Sequence, residues 1–208
     1  EKVHQLVSDA VCRQLISDVP ICTMLSGGLD SSILTAIAAK QLSYADKTLA
    51  TYSVAYEGNN EHFQTNAFQT TQDEFWIEKM QKRYGTKHTQ IELQQHSLVD
   101  ALTEAMRFKD MPSMADIDSS LYLFCKEIKK THSVALSGEC ADEVFGGYPW
   151  FYAQKQTAFP WLRATSEREG LLSERWQRKL RLTDYLEDTY NEALAQMPEF
   201  LGDPVERE

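Results

Sequence analysis

Apolar residues recur at helical spacing at the start of the chain. Val3, Leu6, Val7, Ala10, Val11 and Leu15 predict an amphipathic helix of about four turns, ended by Asp18-Val19-Pro20. Ile21 to Leu25 is a short apolar run with the length and flanks of a buried parallel strand. Ile33, Leu34, Ile37, Ala38 and Leu42 then give a second helix its core face. Leu49–Ala55 reads as a second strand by β-propensity, and 56–72 as a long polar surface loop. Thr71-Gln72-Asp73-Glu74 has capping-box form and opens a helix carrying Trp76, Ile77, Met80 and Tyr84, which Gly85 stops. His88–Leu93 is a third strand, with Ile91 and Leu93 on one face. His96 or Ser97 caps a helix bearing Leu98, Leu102, Ala105 and Met106, which runs into the carboxylate-rich linker 110–116. Leu121, Phe124, Cys125 and Ile128 mark a further helix ended by Lys129 and Lys130, and Ser133–Leu136 is a fourth strand.

Short strands alternating with helices predict βαβ units: an α/β fold with a parallel sheet and helices on both faces. Ligands bind such sheets at the carboxyl ends of the strands. From Tyr148 the pattern changes to an aromatic stretch through Trp161, a charged stretch over 162–182, and a last helix carrying Leu186, Tyr190, Ala193, Leu194 and Met197. Residues 201–208 read as a frayed end. The expected organisation is a core over 1–160 and a helical extension of the same domain over 161–208.

Composition narrows the function classes. At 208 residues the chain can bury one substantial core. A net charge of −10 argues against a broad nucleic-acid or anionic-membrane surface, although local backbone donors can still hold a nucleotide. No apolar run approaches membrane-spanning length, so no membrane partner is expected. Cys12, Cys22, Cys125 and Cys140 show no metal-ligand spacing and read as reduced thiols of a cytoplasmic protein. The first residue is Glu1, which suggests a piece of a longer chain.

Two stretches carry chemistry. The first, Ser26-Gly27-Gly28-Leu29-Asp30-Ser31-Ser32, follows a strand and opens a helix. Paired glycines let the backbone approach an anion closely, serine hydroxyls add donors, and the helix start favours negative charge. Ser-Gly-Gly alone would be an ordinary turn. Asp30 changes that reading, because a carboxylate beside a bound anion is repulsive unless a divalent cation lies between them, which points to Mg2+. The second stretch, Ser137-Gly138-Glu139-Cys140-Ala141-Asp142-Glu143, follows the fourth strand. Its acids could be simple helix caps. Facing a phosphate loop across one sheet edge, Asp142 is placed to share Mg2+ with Asp30 while Glu139 is available for proton transfer.

Ser26 to Ser32 at a strand-to-helix junction resembles the loop of the N-type ATP pyrophosphatases. Together with Ser137-Gly138-Glu139 through Asp142-Glu143-Val144-Phe145-Gly146-Gly147-Tyr148, most of residues 1–155 resemble the synthetase domain of glutamine-dependent asparagine synthetases. The resemblance implies a reaction in which ATP adenylates the side-chain carboxylate of aspartate. Ammonia then displaces AMP to give asparagine. It also implies roles: Ser26, Gly27, Gly28, Ser31, Ser32 and Ser137 at the phosphates, and Met24, Val54 and Gly138 at adenosine, largely through backbone. Asp30 and Asp142 would hold Mg2+, and Glu139 would accept a proton from ammonia.

The family pattern continues beyond this length with a basic segment that supplies a catalytic lysine. It also includes a glutaminase domain with an N-terminal cysteine nucleophile, and neither is matched here. The expectation is therefore a fragment, incomplete as an enzyme by itself, whose partner is the glutaminase domain of the same parent polypeptide. A homodimer is compatible with this reading. Cys140 stands where many relatives have glycine, and the residues of linker 110–116 vary among relatives. Two alternatives remain: a related amide ligase such as a β-lactam synthetase, and an ATP-binding module without catalysis. The absence of G-x-x-x-x-G-K-[ST] and G-x-G-x-x-G removes the commoner nucleotide folds.

Overall fold

The structure is a computed structural model that describes residues 1–58, 73–111, 114–148 and 165–196. These residues fall into two compact units, Glu1–Glu139 and Cys140–Glu208. The expected boundary between 160 and 161, Thr71 and Gln72 of the capping box, most of the polar loop after Tyr56, most of the aromatic stretch, Pro112 and Ser113 of the linker, and residues 197–208 lie outside the described residues.

The first unit is an alternating α/β structure, in agreement with the expectation. Its elements are α1 (Lys2–Gln14), β1 (Ile21–Met24), α2 (Leu29–Ser43), β2 (Ala50–Tyr56), α3 (Asp73–Tyr84), β3 (Lys87–Leu93), α4 (Gln95–Lys109), α5 (Ala115–Ile128) and β4 (Val134–Leu136). All the strand pairs are parallel, in the order β3-β2-β1-β4. Cys22 stands opposite Ala50 on one side and Ala135 on the other, and Val54 stands opposite Ile91. From β1 the chain steps outward to β2 and β3, then returns across the sheet to β4. The order therefore reverses between β1 and β4, and such a switch point opens a crevice at the strand carboxyl ends.

The two faces of the sheet differ in chemistry. One face joins Cys22 and Met24 of β1, Ala50, Tyr52 and Val54 of β2, Ile91 of β3 and Ala135 of β4 under Phe124 and Ile128 of α5. This is an ordinary apolar layer. The other face is built from hydroxyls. Thr23 Oγ1 lies 3.0 Å from Thr35 Oγ1 of α2, and both residues are fully buried. His88 bridges Thr51 Oγ1 at 2.9 Å through Nδ1 and Ser53 Oγ at 3.1 Å through Nε2. A buried hydroxyl is tolerated when it is hydrogen-bonded, and no buried side-chain polar atom among the described residues lacks a partner. Burial also pushes the His88 ring below its ordinary titration range and Cys22 up to about 11, so both are neutral at pH 7.

Several core expectations are corrected. Val3, Leu6 and Ala10 of α1 are exposed. Only Val7, Val11 and Leu15 pack, against Leu34, Ile37, Ala38, Ala39 and Leu42 of α2 and against Leu49. A helix laid on one neighbouring helix buries a narrower stripe than its sequence offers. Ile33 of α2 is exposed because the helix turns Ser31, Thr35, Ala38 and Ala39 inward instead. In α4 the small residues Ala101 and Ala105 are buried while Leu102 and Met106 remain exposed. Small side chains let α4 approach α5 closely. Leu121 and Cys125 of α5 and Trp76 and Tyr84 of α3 also face outward. The cap of α4 is Gln94 rather than His96 or Ser97. Gly85 ends α3 as expected, at φ +62° with its N–H donating to the Gln81 carbonyl at 2.9 Å.

In the second unit, α6 (Ala141–Phe145) lies between Cys140 at φ +67° and Gly146 at φ +67°. It is followed by α7 (Thr165–Gly170), α8 (Glu174–Leu180) and α9 (Leu182–Ala195). The Gln177 side-chain amide of α8 donates to the carbonyls of Glu169 and Leu172, both at 2.9 Å, and the Thr183 N–H donates to Glu169 Oε1 at 3.1 Å. Glu169 thereby ties the three helices at their ends.

Candidate active site

The loop after β1 is closed by its own serines. Gly27 adopts φ +80°, a conformation that glycine reaches without the clash a Cβ would meet. A Cβ at Gly27 would also lie 2.8 Å from the Asp73 carbonyl oxygen, so α3 begins directly against the turn. The Ser31 hydroxyl donates to the Gly28 carbonyl at 3.2 Å and accepts the Ser26 N–H at 3.2 Å. With its proton so used, Ser31 accepts from the Ser26 hydroxyl at 3.0 Å, and Ser26 Oγ in turn accepts the Gly28 N–H at 3.4 Å. This ring holds Gly28 as the cap of α2 and leaves Ser31 buried. Ser32 is half-buried in the first turn, and Asp30 is half-buried beside it.

The second Ser-Gly turn meets this loop. A Cβ added to Gly138 would lie 3.0 Å from the Ser31 nitrogen and 3.1 Å from Asp30 Cβ. The turn after β4 therefore crosses the start of α2 closely enough that a side chain at 138 would force its neighbours to give way. Ser137 and Glu139 flank it, both exposed, and the Glu139 N–H donates to Ser137 Oγ at 3.2 Å. Of the residues predicted for the site, Ser26 through Ser32 and Ser137 through Glu139 thus converge at the β1/β4 switch point. Met24 and Val54 lie alongside, lining one pocket with Ser26.

That pocket has a volume of about 210 Å³ at the carboxyl ends of β1 and β2. Besides Met24, Ser26 and Val54, its walls include Tyr52, Ser53, Tyr56, Glu74, Ile77, Gln90 and Phe124. None of these latter residues was expected at the site from the sequence. Tyr56 Oη is hydrogen-bonded to Ser120 Oγ of α5, and Tyr52 Oη lies 2.8 Å from Thr131 Oγ1, so both aromatic walls are pinned from outside. Ser53 and Thr51 are hydroxyls on the same face of β2, and both take their partner from His88. The others come from strands and helices distant in sequence.

Asp142 lies in the first turn of α6, within the second unit. Gly147 closes that turn, its N–H donating to the Asp142 carbonyl at 2.9 Å, and the Asp142 carboxylate fills the space a side chain at 147 would need. Tyr148 donates to Glu143 Oε1 at 3.2 Å. Among the described residues no group of three or more His, Cys, Asp or Glu forms a metal cage.

Comparison with known proteins gives the family. Residues 2–208 match the asparagine synthase family. The chain belongs to that family. It is 56% identical over 198 residues to asparagine synthetase [glutamine-hydrolyzing] 3 of Bacillus subtilis (strain 168), covering 94% of this chain and 32% of that protein. It is 30% identical over 164 residues to asparagine synthetase B [glutamine-hydrolyzing] of Escherichia coli (strain K12), covering 73% of this chain and 27% of that protein. With asparagine synthetase [glutamine-hydrolyzing] 2 of Oryza sativa subsp. japonica the identity is 29% over 153 residues, covering 72% of the chain and 25% of that protein. The chain spans about a third or less of the length of these relatives. The family resemblance and the parallel α/β fold drawn from the sequence are both borne out. Among the described residues no helix is long and apolar enough to cross a membrane.

Proposed function

We propose that this chain contributes the adenylating half-site of a glutamine-dependent asparagine synthetase. ATP would activate the side-chain carboxylate of aspartate, and ammonia released from glutamine by a glutaminase domain of the parent polypeptide would then displace AMP. The observation that carries this reading is the close approach of Gly138 to the start of α2, which brings the second Ser-Gly turn onto the loop whose Ser26 lines the pocket. Family membership supports it.

The chemistry follows from the groups present. A carboxylate becomes an acyl donor only when its oxygen is made a good leaving group, and attack at the α-phosphorus requires the departing pyrophosphate to be neutralised. Gly27 would present its backbone to the phosphates, with the start of α2 adding its dipole, while Ser26 and Gly28, whose N–H groups donate to the Ser31 and Ser26 hydroxyls, would hold the loop in shape around them. Ser31 would act mainly by holding the loop, since its hydroxyl is engaged within it. The Ser32 and Ser137 hydroxyls would add donors. Met24 and Val54 would flank adenosine, with Gly138 allowing the close approach. At about 210 Å³ the pocket lies below the ~300–1,000 Å³ typical of whole-ligand sites. It suits a base, with the polyphosphate lying along the loop.

Magnesium fits the donor set, because this ion is held by one or two carboxylates together with substrate phosphates rather than by an all-protein cage. Asp30 and Asp142 are the carboxylates assigned to it, Asp142 on its sequence motif. The ion would supply charge neutralisation at the pyrophosphate. Glu139, exposed on the turn after β4, would take the proton from attacking ammonia.

Pyrophosphate release by the full-length protein with ATP, Mg2+ and a panel of carboxylic acids tests the reading. Aspartate should be preferred, and Asp30→Asn should abolish release. Glu139→Gln should retain pyrophosphate release while losing asparagine formation. Release with another acid would transfer the assignment to a related amide ligase, and no release with any acid would favour a binding module. A homodimer and cytoplasmic residence accompany this proposal, testable by light scattering and fractionation.

A further inference from the structure

Most polar side chains lining the pocket are already engaged. Tyr52 Oη is bonded to Thr131 and His132, Tyr56 Oη to Ser120, Ser53 Oγ to His88 and Ser26 Oγ to Ser31, while Asp73 has a partner of its own. Two are not. The side chains of Glu74, half-buried in the first turn of α3, and Gln90, exposed on β3, line the same pocket and make no hydrogen bond or ion pair among the described residues. No Lys, Arg or His is among the described residues that line it.

Position and chemistry then combine. Strands in a sheet lie ~4.7–4.9 Å apart, so β3 stands roughly 9–10 Å from β1. Gln90 is therefore at the end of the pocket away from Ser26. With phosphates on the Ser26 loop, that end receives the base. A carboxylate only accepts hydrogen bonds, while a glutamine amide offers one acceptor and one donor edge that pair with N6 and N7 of adenine. A 6-oxo purine presents an acceptor at the same place and would set oxygen against the Glu74 carboxylate. A negative charge there also opposes entry of the polyphosphate in the reversed orientation.

We propose that Glu74 and Gln90 determine the base preference of this pocket, accepting the 6-amino group of adenine and rejecting 6-oxo purines. The proposal rests on the nucleotide reading above. It adds side-chain discrimination to a site whose other polar side chains are held by partners of their own.

The test is equilibrium binding of ATP and ITP, each with Mg2+, to the full-length protein and its variants, with melting temperatures recorded in parallel. ITP differs from ATP at the 6-position, so the ratio of the two affinities reads the contact directly. The wild-type protein should bind ATP at least about tenfold more tightly than ITP, the scale of one hydrogen bond to a charged group. Glu74→Gln keeps the shape and supplies an N–H donor, so it should narrow the ratio about tenfold, chiefly by improving ITP. Gln90→Leu should weaken ATP without improving ITP, and Gln90→Glu, which retains an acceptor, should preserve ATP preference. If Glu74→Gln and Gln90→Leu both leave the ATP-to-ITP ratio at its wild-type value, the proposal is overturned while the nucleotide reading stands. If the wild-type protein binds neither nucleotide, both fall.

Discussion

Replacing Gly138 by alanine probes the contact on which the site depends. The added methyl would lie 3.0 Å from the Ser31 nitrogen, 3.1 Å from Asp30 Cβ and 3.2 Å from the Asp30 carbonyl carbon. Non-bonded carbons settle at ~3.5–4.0 Å, so the turn and the helix must separate by roughly half an ångström. The obstacles are backbone and a Cβ, none of which moves aside by rotamer change. Overpacking of this kind costs about 1–3 kcal/mol of stability. Misplacing a catalytic constellation by 1 Å can cost ~10²-fold, so half that displacement should weaken Mg·ATP binding or turnover about tenfold. Denaturant unfolding and calorimetric ATP titration measure the two effects separately. Gly85→Ala is the control. Gly85 has φ +62° and nothing within 4 Å of an added Cβ, so alanine there meets only left-handed strain, about 1–2 kcal/mol. It should lower stability and leave ATP affinity intact. Wild-type stability and ATP binding in Gly138→Ala, or equal loss of ATP binding in Gly85→Ala, would refute the reasoning.

The buried hydroxyl pair gives a second test. Thr35→Val should destabilise by about 1–3 kcal/mol because Thr23 keeps a buried hydroxyl without its partner, whereas Thr23→Val/Thr35→Val should recover most of the loss. A double-mutant cycle in urea measures it, and additive losses would contradict the pairing. His88 predicts a pH dependence. Burial lowers its folded-state value below the ordinary 6.5, so the unfolded chain binds the proton more readily. Its contribution is complete above about 6.5 and is lost as pH falls through the folded-state value. The urea midpoint should therefore drop more between pH 7 and pH 5 in the wild-type protein than in His88→Asn, and equal drops would count against it. Cys140 sits at φ +67°, where a side chain costs about 1–2 kcal/mol. Cys140→Gly should raise the melting temperature of the full-length protein, net of the glycine's own entropy cost of ~0.4–1 kcal/mol, and a lowered value would show that the cysteine side chain contributes.

Much of the candidate site was legible because its signals are local. Ile21 to Met24 is short and apolar, the glycines after it permit φ values other residues avoid, and the apolar spacing after Asp30 is that of a helix. Strand, loop and helix need no distant partner to be recognised. The same holds for Gly85, whose stop acts within one turn. Core assignments failed where packing rather than periodicity decides. Leu102 is a better core residue than Ala101 by hydrophobicity, yet α4 buries Ala101. Thr23, Thr35, Thr51 and Ser53 are polar by type, yet they are among the most buried residues of the unit.

The chain by itself therefore determined the elements, their alternation, the loop after β1 and the acids at the turn after β4. These follow from backbone sterics and side-chain periodicity over a few residues. Only the tertiary structure decided the strand order, which puts β4 beside β1 and brings Gly138 onto the start of α2. Only it turned the Ser31 hydroxyl inward and drew Glu74 and Gln90 into one pocket with Ser26. The reason is physical: parallel strands are paired through long crossovers, so which carboxyl ends become neighbours depends on the packing of the whole sheet.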